Sequence, residues 1–412
     1  MKITFGFLFL VAALKTSNQQ CLSENDNKRI NPGGRHGLYT GQQSFSLALL
    51  QSINQLMPNE NLFFSPYSTY HALLIAYFLA GGQTESYLKR ILRLDTSQTK
   101  PDFYQAYKLD KLQTRIDKIN SSYEFTNANK IYVAEDVVVR DCIPSLFGEE
   151  LSKAPFKSDP QNARLTINKW VEDQTHNMIQ NLLPPGSIDQ SSTLVLVNAA
   201  YFKGKWENKF NPDETKPEIF YVSSSKQIMV DMMHVEGTFN HDVSESLEAH
   251  ILEMPYKGDQ ISMYVFLPPF TKEGAIDNTL KKLTVDKFQN IVNSNRLTAK
   301  TVQVSFPKFA LEHTIELVPI LENMGIGDLF QETSNLTTLT EDKVSLGNAL
   351  HKARIEVNEE GTRAAASTVL FSFRSSRPIE PAQFHCDHPF IYVIYDKAEQ
   401  AVLFTGVFRR PH

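Results

Sequence analysis

Cysteine is scarce in this chain of 412 residues: there are three, Cys21, Cys142 and Cys386. Three are too few for a disulfide framework, and the odd number leaves at least one thiol unpaired, so the fold must stand on packing. Tryptophan occurs only twice, against 27 Phe and 15 Tyr, a balance that suits a strand-rich interior. Long apolar runs are absent except for uncharged Ile3–Leu14, which follows Lys2 and ends at polar Lys15, Thr16, Ser17 and Asn18. A run that short does not cross ~30 Å of hydrocarbon. It reads as a cleaved secretory signal over about residues 1–20, with an uncleaved anchor as the lesser reading. A net charge of −5 and a pI near 6.1 give no signature of nucleic-acid binding or of polybasic attachment to membranes.

Enzyme motifs are missing as well. There is no Gly-x-Ser-x-Gly elbow, no phosphate-binding Gly-x-x-x-x-Gly-Lys, no His-Glu-x-x-His and no Cys-x-x-Cys. Eleven histidines are scattered, and His385 and His388 lack the further ligands that a metal site needs. Nothing in the pattern recommends a dispersed Ser/His/Asp triad.

What is present is a continuous globular pattern from Gln42 to His412, preceded by a loose polar leader over 21–41 that holds Pro32, Gly33 and Gly34. The spacing predicts helices over Ser44–Leu56, over Tyr67–Ala80 closed by Gly81-Gly82, and from Thr84 as cap to Leu94. Pro101–Ile119 is amphipathic: Leu109, Leu112, Ile116 and Ile119 share one face, and Lys108, Lys111, Arg115 and Lys118 form a basic stripe beside it, diluted by Asp110 and Asp117. Strand patterns follow at Lys130–Val139, Ser192–Phe202, Ala249–Met254, Ile261–Leu267, Thr301–Phe306, Phe390–Tyr395 and Ala401–Phe408. Helices gather early and strands late, without regular alternation. That order predicts one α+β domain over 42–412 with large, mainly antiparallel sheets.

One stretch stands out. Glu359-Glu360-Gly361-Thr362-Arg363-Ala364-Ala365-Ala366-Ser367-Thr368 joins a glycine to a run of small residues, and a variable tract to Pro381 follows. Glycine permits a sharp change of backbone direction. Small side chains could slip between existing strands without overpacking them. With Thr362, Ala364, Ala366 and Thr368 facing inward, Arg363, Ala365 and Ser367 face out, so the bulky charge falls on the tolerant side. The plainer reading is a flexible small-residue loop.

In its motifs the chain resembles a serpin over nearly all of 42–412. Phe384-His385-Cys386-Asp387-His388-Pro389-Phe390-Ile391-Tyr392-Val393-Ile394 resembles the C-terminal signature of that family. Asn61-Leu62-Phe63-Phe64-Ser65-Pro66-Tyr67-Ser68, Asn198-Ala199-Ala200-Tyr201-Phe202-Lys203-Gly204-Lys205-Trp206 and Met254-Pro255-Tyr256-Lys257-Gly258 resemble three further family motifs in the right order. The resemblance implies three sheets, eight or nine helices and an exposed reactive-centre loop at about 359–381. It implies an inhibitor, not an enzyme: a monomer that traps its protease covalently when the cut loop inserts into the main sheet. Glu359, Gly361, Thr362, Ala364, Ala365 and Ala366 correspond to the hinge. Ser65, Ser68, Asn198 and His351 correspond to a shutter where the sheet parts, and Trp206 to a breach where Glu359 should meet Lys308.

The usual loop length of the family, counted from Glu359, puts the cut at Ser375-Ser376, while a hinge one residue shorter gives Arg374-Ser375. A trypsin-like protease holds Arg bidentately on a buried carboxylate, which serine cannot match, so Arg374 is the favoured bait. Arg377-Pro378 is a poor bond, because proline lacks an N–H and distorts the backbone. Asn120 and Asn335 head glycosylation sequons. No metal and no cofactor are implied. The stripe Lys108, Lys111, Arg115 and Lys118 is a solvated helix face or, as a second reading, a site for a sulfated polysaccharide. By analogy with arthropod serpins the chain would regulate an extracellular cascade. The rival readings are a carrier or storage serpin without inhibitory action, and a cryptic hydrolase.

Overall fold

The computed structural model describes residues 21–22, 34–117, 122–270, 274–293, 297–360 and 380–411. Among them the first helix, α1 (Gly34–Leu56), begins well before Ser44 and takes in the end of the expected leader, burying Leu38, Phe45, Leu49 and Ile53. After β1 (Leu62–Phe64) comes α2 (Pro66–Leu79), in which every residue is buried, as an apolar helix without a polar face requires. Ser65 caps it by accepting the Ser68 N–H at 3.0 Å, and Pro66 sits at the first helical position, where its missing N–H costs nothing.

Next, α3 (Gly82–Ile91) is capped by Gly81 and not by Thr84. Thr84 is buried within the helix, where its hydroxyl binds Asp328 and accepts the Asn335 N–H at 2.9 Å. The helix α4 (Lys100–Asp117) also departs from expectation. Leu109, Leu112 and Ile116 are 40%, 55% and 52% exposed, so the aliphatic stripe faces solvent. The face turned inward holds Phe103, Tyr104 and Tyr107, which bury more area per residue than the aliphatics. Asp110 goes in with them because the Tyr39 and Tyr67 hydroxyls donate to its carboxylate. Ile119 lies outside the described residues.

The chain continues through β2 (Tyr123–Ala134), α5 (Ile143–Phe147), β3 (Leu151–Ala154), α6 (Pro160–Gln174) and β4 (Leu194–Gly204). Then follow β5 (Lys216–Ser223), β6 (Lys226–Ser244), β7 (Ala249–Pro255), β8 (Ile261–Leu267), α7 (Ala275–Lys282) and α8 (Val285–Val292). The last part is β9 (Thr298–Pro307), β10 (Phe309–Glu316), α9 (Leu317–Asn323), β11 (Leu346–Val357), β12 (Ala382–His385), β13 (Phe390–Asp396) and β14 (Ala401–Phe408). The nine helices among the described residues fall in the expected number, and the α+β class holds.

Two hydrogen-bonded sheets result. One has the order β10-β11-β4-β2-β3, and the other runs β1-β14-β13-β8-β7-β6-β9-β12 with β5 on β6. The three expected sheets register as two because β6, 19 residues long, pairs with β5 and β9 along most of its length and with β7 at its end. The phenylalanine surplus fills the space between strands: Phe63 stacks on Phe404 at 5.1 Å and Phe309 on Phe408 at 4.6 Å. Packing is supplemented by one crosslink, since Cys21 is bonded to Cys142 at the cap of α5 while Cys386 is free and buried.

Candidate functional site

The five-stranded sheet holds an arrangement that the strand patterns alone did not reveal. Its centre is a parallel pair: β11 runs beside β4 in register from Leu346 on Leu194 to Ile355 on Phe202. Both strands are antiparallel to their outer neighbours, β10 and β2. The first nine residues of β4 are all buried, as expected of a strand covered on both faces. A strand running back from the end of β11 would be antiparallel to β11 and to β4 alike, so it would have good ladder geometry on both sides if the pair parted to admit it. The chain leaving β11 at Val357 leads directly to Glu359 and Glu360, the root of the segment the sequence singled out.

Side chains lock that pair midway. His351 on β11 stands opposite Asn198 on β4, and both are fully buried. The Ser65 backbone N–H donates to His351 Nε2 at 2.9 Å, which ties β11 to the start of α2. That leaves Nδ1–H to donate to Asn198 Oδ1. Burial, followed by the charge of His313, lowers the pKa of His351 to about 3, so the ring is neutral and has one donor and one acceptor to offer. The Asn198 amide then donates to Ser68 Oγ at 2.7 Å and to Asn129 on β2, while Ser68 donates to Asn127 at 2.6 Å. Ser65 Oγ donates to the Leu403 carbonyl at 2.7 Å, so the network is anchored in β14 as well. The four residues expected at the shutter thus meet in one network.

Asn127 and Asn129 belong to it too and were missed. Asn129 lies directly across from Asn198, a relation set by sheet register and not by any local pattern.

At the end of the pair a second set of contacts holds Asn358 and Glu359. Trp206 Nε1 donates to the Asn358 carbonyl at 3.0 Å, and the Lys308 ammonium meets Glu359 at 2.9 Å. Thr215 donates to the same carboxylate at 2.8 Å. Burial raises the pKa of Glu359, but the hydrogen bonds from Lys308 and Thr215 outweigh it and the carboxyl ends below its ordinary range. Trp206 stacks on Tyr256 at 4.3 Å, so the clamp on Asn358 is itself rigidly held. The expected Glu359–Lys308 ion pair is therefore present, with Thr215 on the same carboxylate and Trp206 on Asn358 beside it.

The remaining sequence candidates separate. Gly361, Thr362, Ala364, Ala365, Ala366, Arg374, Ser375 and Ser376 lie outside the described residues, as do Asn120 and Lys118. Asn335 is half-buried, and its side-chain oxygen accepts from the Thr337 hydroxyl at 2.7 Å. On α4, Lys111 pairs with Glu149 at 2.8 Å and with Glu150, Arg115 pairs with Glu149, and Lys108 sits over the Tyr104 ring at 5.5 Å. Two charges of the basic stripe are thereby neutralised within the molecule. No helix among the described residues is long and apolar enough to cross a membrane.

The chain is similar to known proteins over most of its length. Residues 40–411 match the family described as Serpin (serine protease inhibitor). The chain is 41% identical over 393 residues to serine protease inhibitor 88Ea of Drosophila melanogaster, covering 92% of this chain and 91% of that protein. It is 33% identical over 363 residues to antithrombin-III of Ovis aries, covering 86% and 77% of the two chains. The crystal structure of uncleaved ovalbumin superposes with a TM-score of 0.81 at 28% identity, covering 91% of this chain and all of ovalbumin. A parallel β4–β11 pair latched by His351 and Asn198, a Glu359 held by Lys308 and Thr215 at its end, and relatives matched over most of their length have one explanation: the chain belongs to the serpin family.

Proposed function

We propose that the chain is a secreted suicide-substrate inhibitor of trypsin-like serine proteases, with Arg374-Ser375 as the reactive bond. The single observation that carries this reading is the parallel β4–β11 pair, with Glu359 and Glu360 leading out of the end of β11. A target protease attacks the bait bond, its catalytic serine becomes acylated by Arg374, and the new amino terminus at Ser375 leaves. The segment from Gly361 onward is then free to turn back and enter between β11 and β4. Insertion replaces one ladder of nine registered pairs by two. At about 1 kcal/mol net per hydrogen bond, the extra ladder is worth on the order of 10 kcal/mol. That matches the stability of a whole domain and suffices to distort a protease dragged along with the strand.

Two observations support secretion. The Cys21–Cys142 disulfide suits an oxidising compartment, and the apolar run ahead of Cys21 reads as an export signal. Asn120 and Asn335 are the glycan acceptors on this reading. Regulation of an extracellular proteolytic cascade is the role it suggests.

Incubation with trypsin tests the proposal. A complex that survives SDS and runs near the summed mass is expected, and plain cleavage with no complex would favour the carrier or storage alternative. Arg374→Ala should abolish trypsin inhibition. Loss of inhibition in Arg377→Ala instead would overturn the bond assignment, and ester turnover by the intact chain would favour the hydrolase.

A further inference from the structure

The hairpin of β5 and β6 carries an apolar pair on its outer side. Ile219 and Met229 are registered partners across it and are 39% and 56% exposed. Because side chains alternate, Asp231 shares the face of Met229, while Val230 and Met232 turn into the core. Apolar residues exposed singly need no explanation, but a pair that borders a groove marks a surface open to a ligand.

The groove lies where the hairpin meets the start of β10 and the end of β14. Its volume is about 490 Å³, within the range that small ligands fill. Buried Phe309 and Phe408, stacked at 4.6 Å, form its floor, and exposed Pro217 and Met229 line it from the hairpin. Two charged side chains, Asp231 and Lys308, complete the polar part of the lining. In an apolar groove with so few charges, the charges select the ligand.

Those two charges are not equivalent. The Lys308 ammonium is taken up by both oxygens of Glu359, at 2.9 and 3.2 Å. On β5, Lys216 is paired with Glu218 at 3.3 Å, and Glu218 also meets His234 at 3.1 Å. Asp231 makes no ion pair among the described residues. Its contact with Lys308 runs through the backbone, the Lys308 N–H donating to its carbonyl at 2.8 Å. The groove therefore presents one uncompensated negative charge beside an apolar floor. An anionic ligand would face Asp231 and Glu359 together. A metal ion would lack ligands, since no cluster of three or more metal-binding side chains occurs among the described residues.

We propose that this groove binds an amphipathic amine, with the ammonium group on the Asp231 carboxylate and the apolar body against Met229, Phe309 and Phe408. Methionine suits that wall, because its flexible thioether adapts to the shape it meets and packs well on aromatic rings. The groove shares Lys308 with the contact that holds Glu359, so a bound amine lies beside the start of the segment leaving β11. The inference does not rest on the inhibitory reading, because it concerns a ligand held by the uncut protein.

The test is titration of the full chain, by calorimetry and ligand-observed NMR, with three probes of similar shape and different head groups: phenylbutylamine, phenylbutanol and phenylbutyrate. The amine should bind with a dissociation constant on the order of 1 mM, about threefold or more tighter than the carboxylate, with the alcohol between them. Added salt should weaken the amine and leave the alcohol unchanged. Asp231→Asn should bring the ratio of amine to carboxylate affinity to about one, and Met229→Ala should weaken all three probes about twofold or more. Asp231→Asn keeps the backbone contact to Lys308 and should melt with the parent. No binding of the amine at about 10 mM, a carboxylate bound as tightly as the amine, a preference that survives Asp231→Asn, or undiminished binding in Met229→Ala would overturn the proposal.

Discussion

Replacement of His351 by alanine is the perturbation whose size the structure defines best. In the parent at pH 7.5 the neutral ring accepts the Ser65 N–H and donates to Asn198, and it is fully buried. His351→Ala strands both partners in the interior at about 2 kcal/mol each, so the first unfolding transition should lose about 4 kcal/mol. The effect is pH-dependent with a fixed sign. The folded-state pKa, about 3, lies below the unfolded value of 6.5, so the contribution is complete above pH 6.5 and is lost as pH falls toward 3. At pH 5 the parent has given up about 2 kcal/mol of it, while the variant has no ring to protonate. The difference between parent and variant should therefore shrink from about 4 kcal/mol at pH 7.5 to about 2 kcal/mol at pH 5. Urea titrations of both proteins at the two pH values measure this, and contributions from the other buried histidines cancel in the subtraction. A difference that stays constant with pH would refute the picture of a neutral His351 latching β11 to β4.

Further outcomes follow from other contacts. Combined Cys21→Ser and Cys142→Ser opens a loop of 121 residues, which chain entropy values at up to about 5 kcal/mol, so a lower melting temperature by calorimetry is expected. Gly406→Ala would drive a Cβ into the Leu62 carbonyl oxygen and the Tyr392 ring, at a cost of about 1–3 kcal/mol visible in the same scan. Thr362→Arg would put a charge on the inserting face of the loop. It should convert inhibitor to substrate, with trypsin cleaving the loop and no SDS-stable band forming.

The β4 and β11 region shows how much of this was legible in the sequence. The strand at Leu194–Gly204 was readable because burial on both faces leaves a nearly unbroken apolar run. The residues of the latch were placed by motif resemblance, but Asn129 was invisible because it joins through the cross-strand register with Asn198. On α4 the periodicity was right and the direction wrong. Two faces carried apolar residues at helical spacing, and the fold buried the aromatic one with Asp110, whose two tyrosine partners come from α1 and α2. The disulfide was equally hidden, since an odd number of cysteines does not say which two meet. Met229, Phe309 and Phe408 lie far apart in sequence, and only the packing of β6, β10 and β14 makes them neighbours in one groove.

Insertion requires the paired β4 and β11 to part and admit one more strand, and nicking within 361–381 tests it most directly. Trypsin-independent cleavage within 361–381, followed by calorimetry of the purified nicked protein, compares the sheet before and after a free strand is supplied. For a domain of this size, an added ladder worth on the order of 10 kcal/mol should raise the melting temperature by about 10 °C or more. An unchanged or lowered melting temperature after complete nicking would contradict insertion, and with it the inhibitory mechanism.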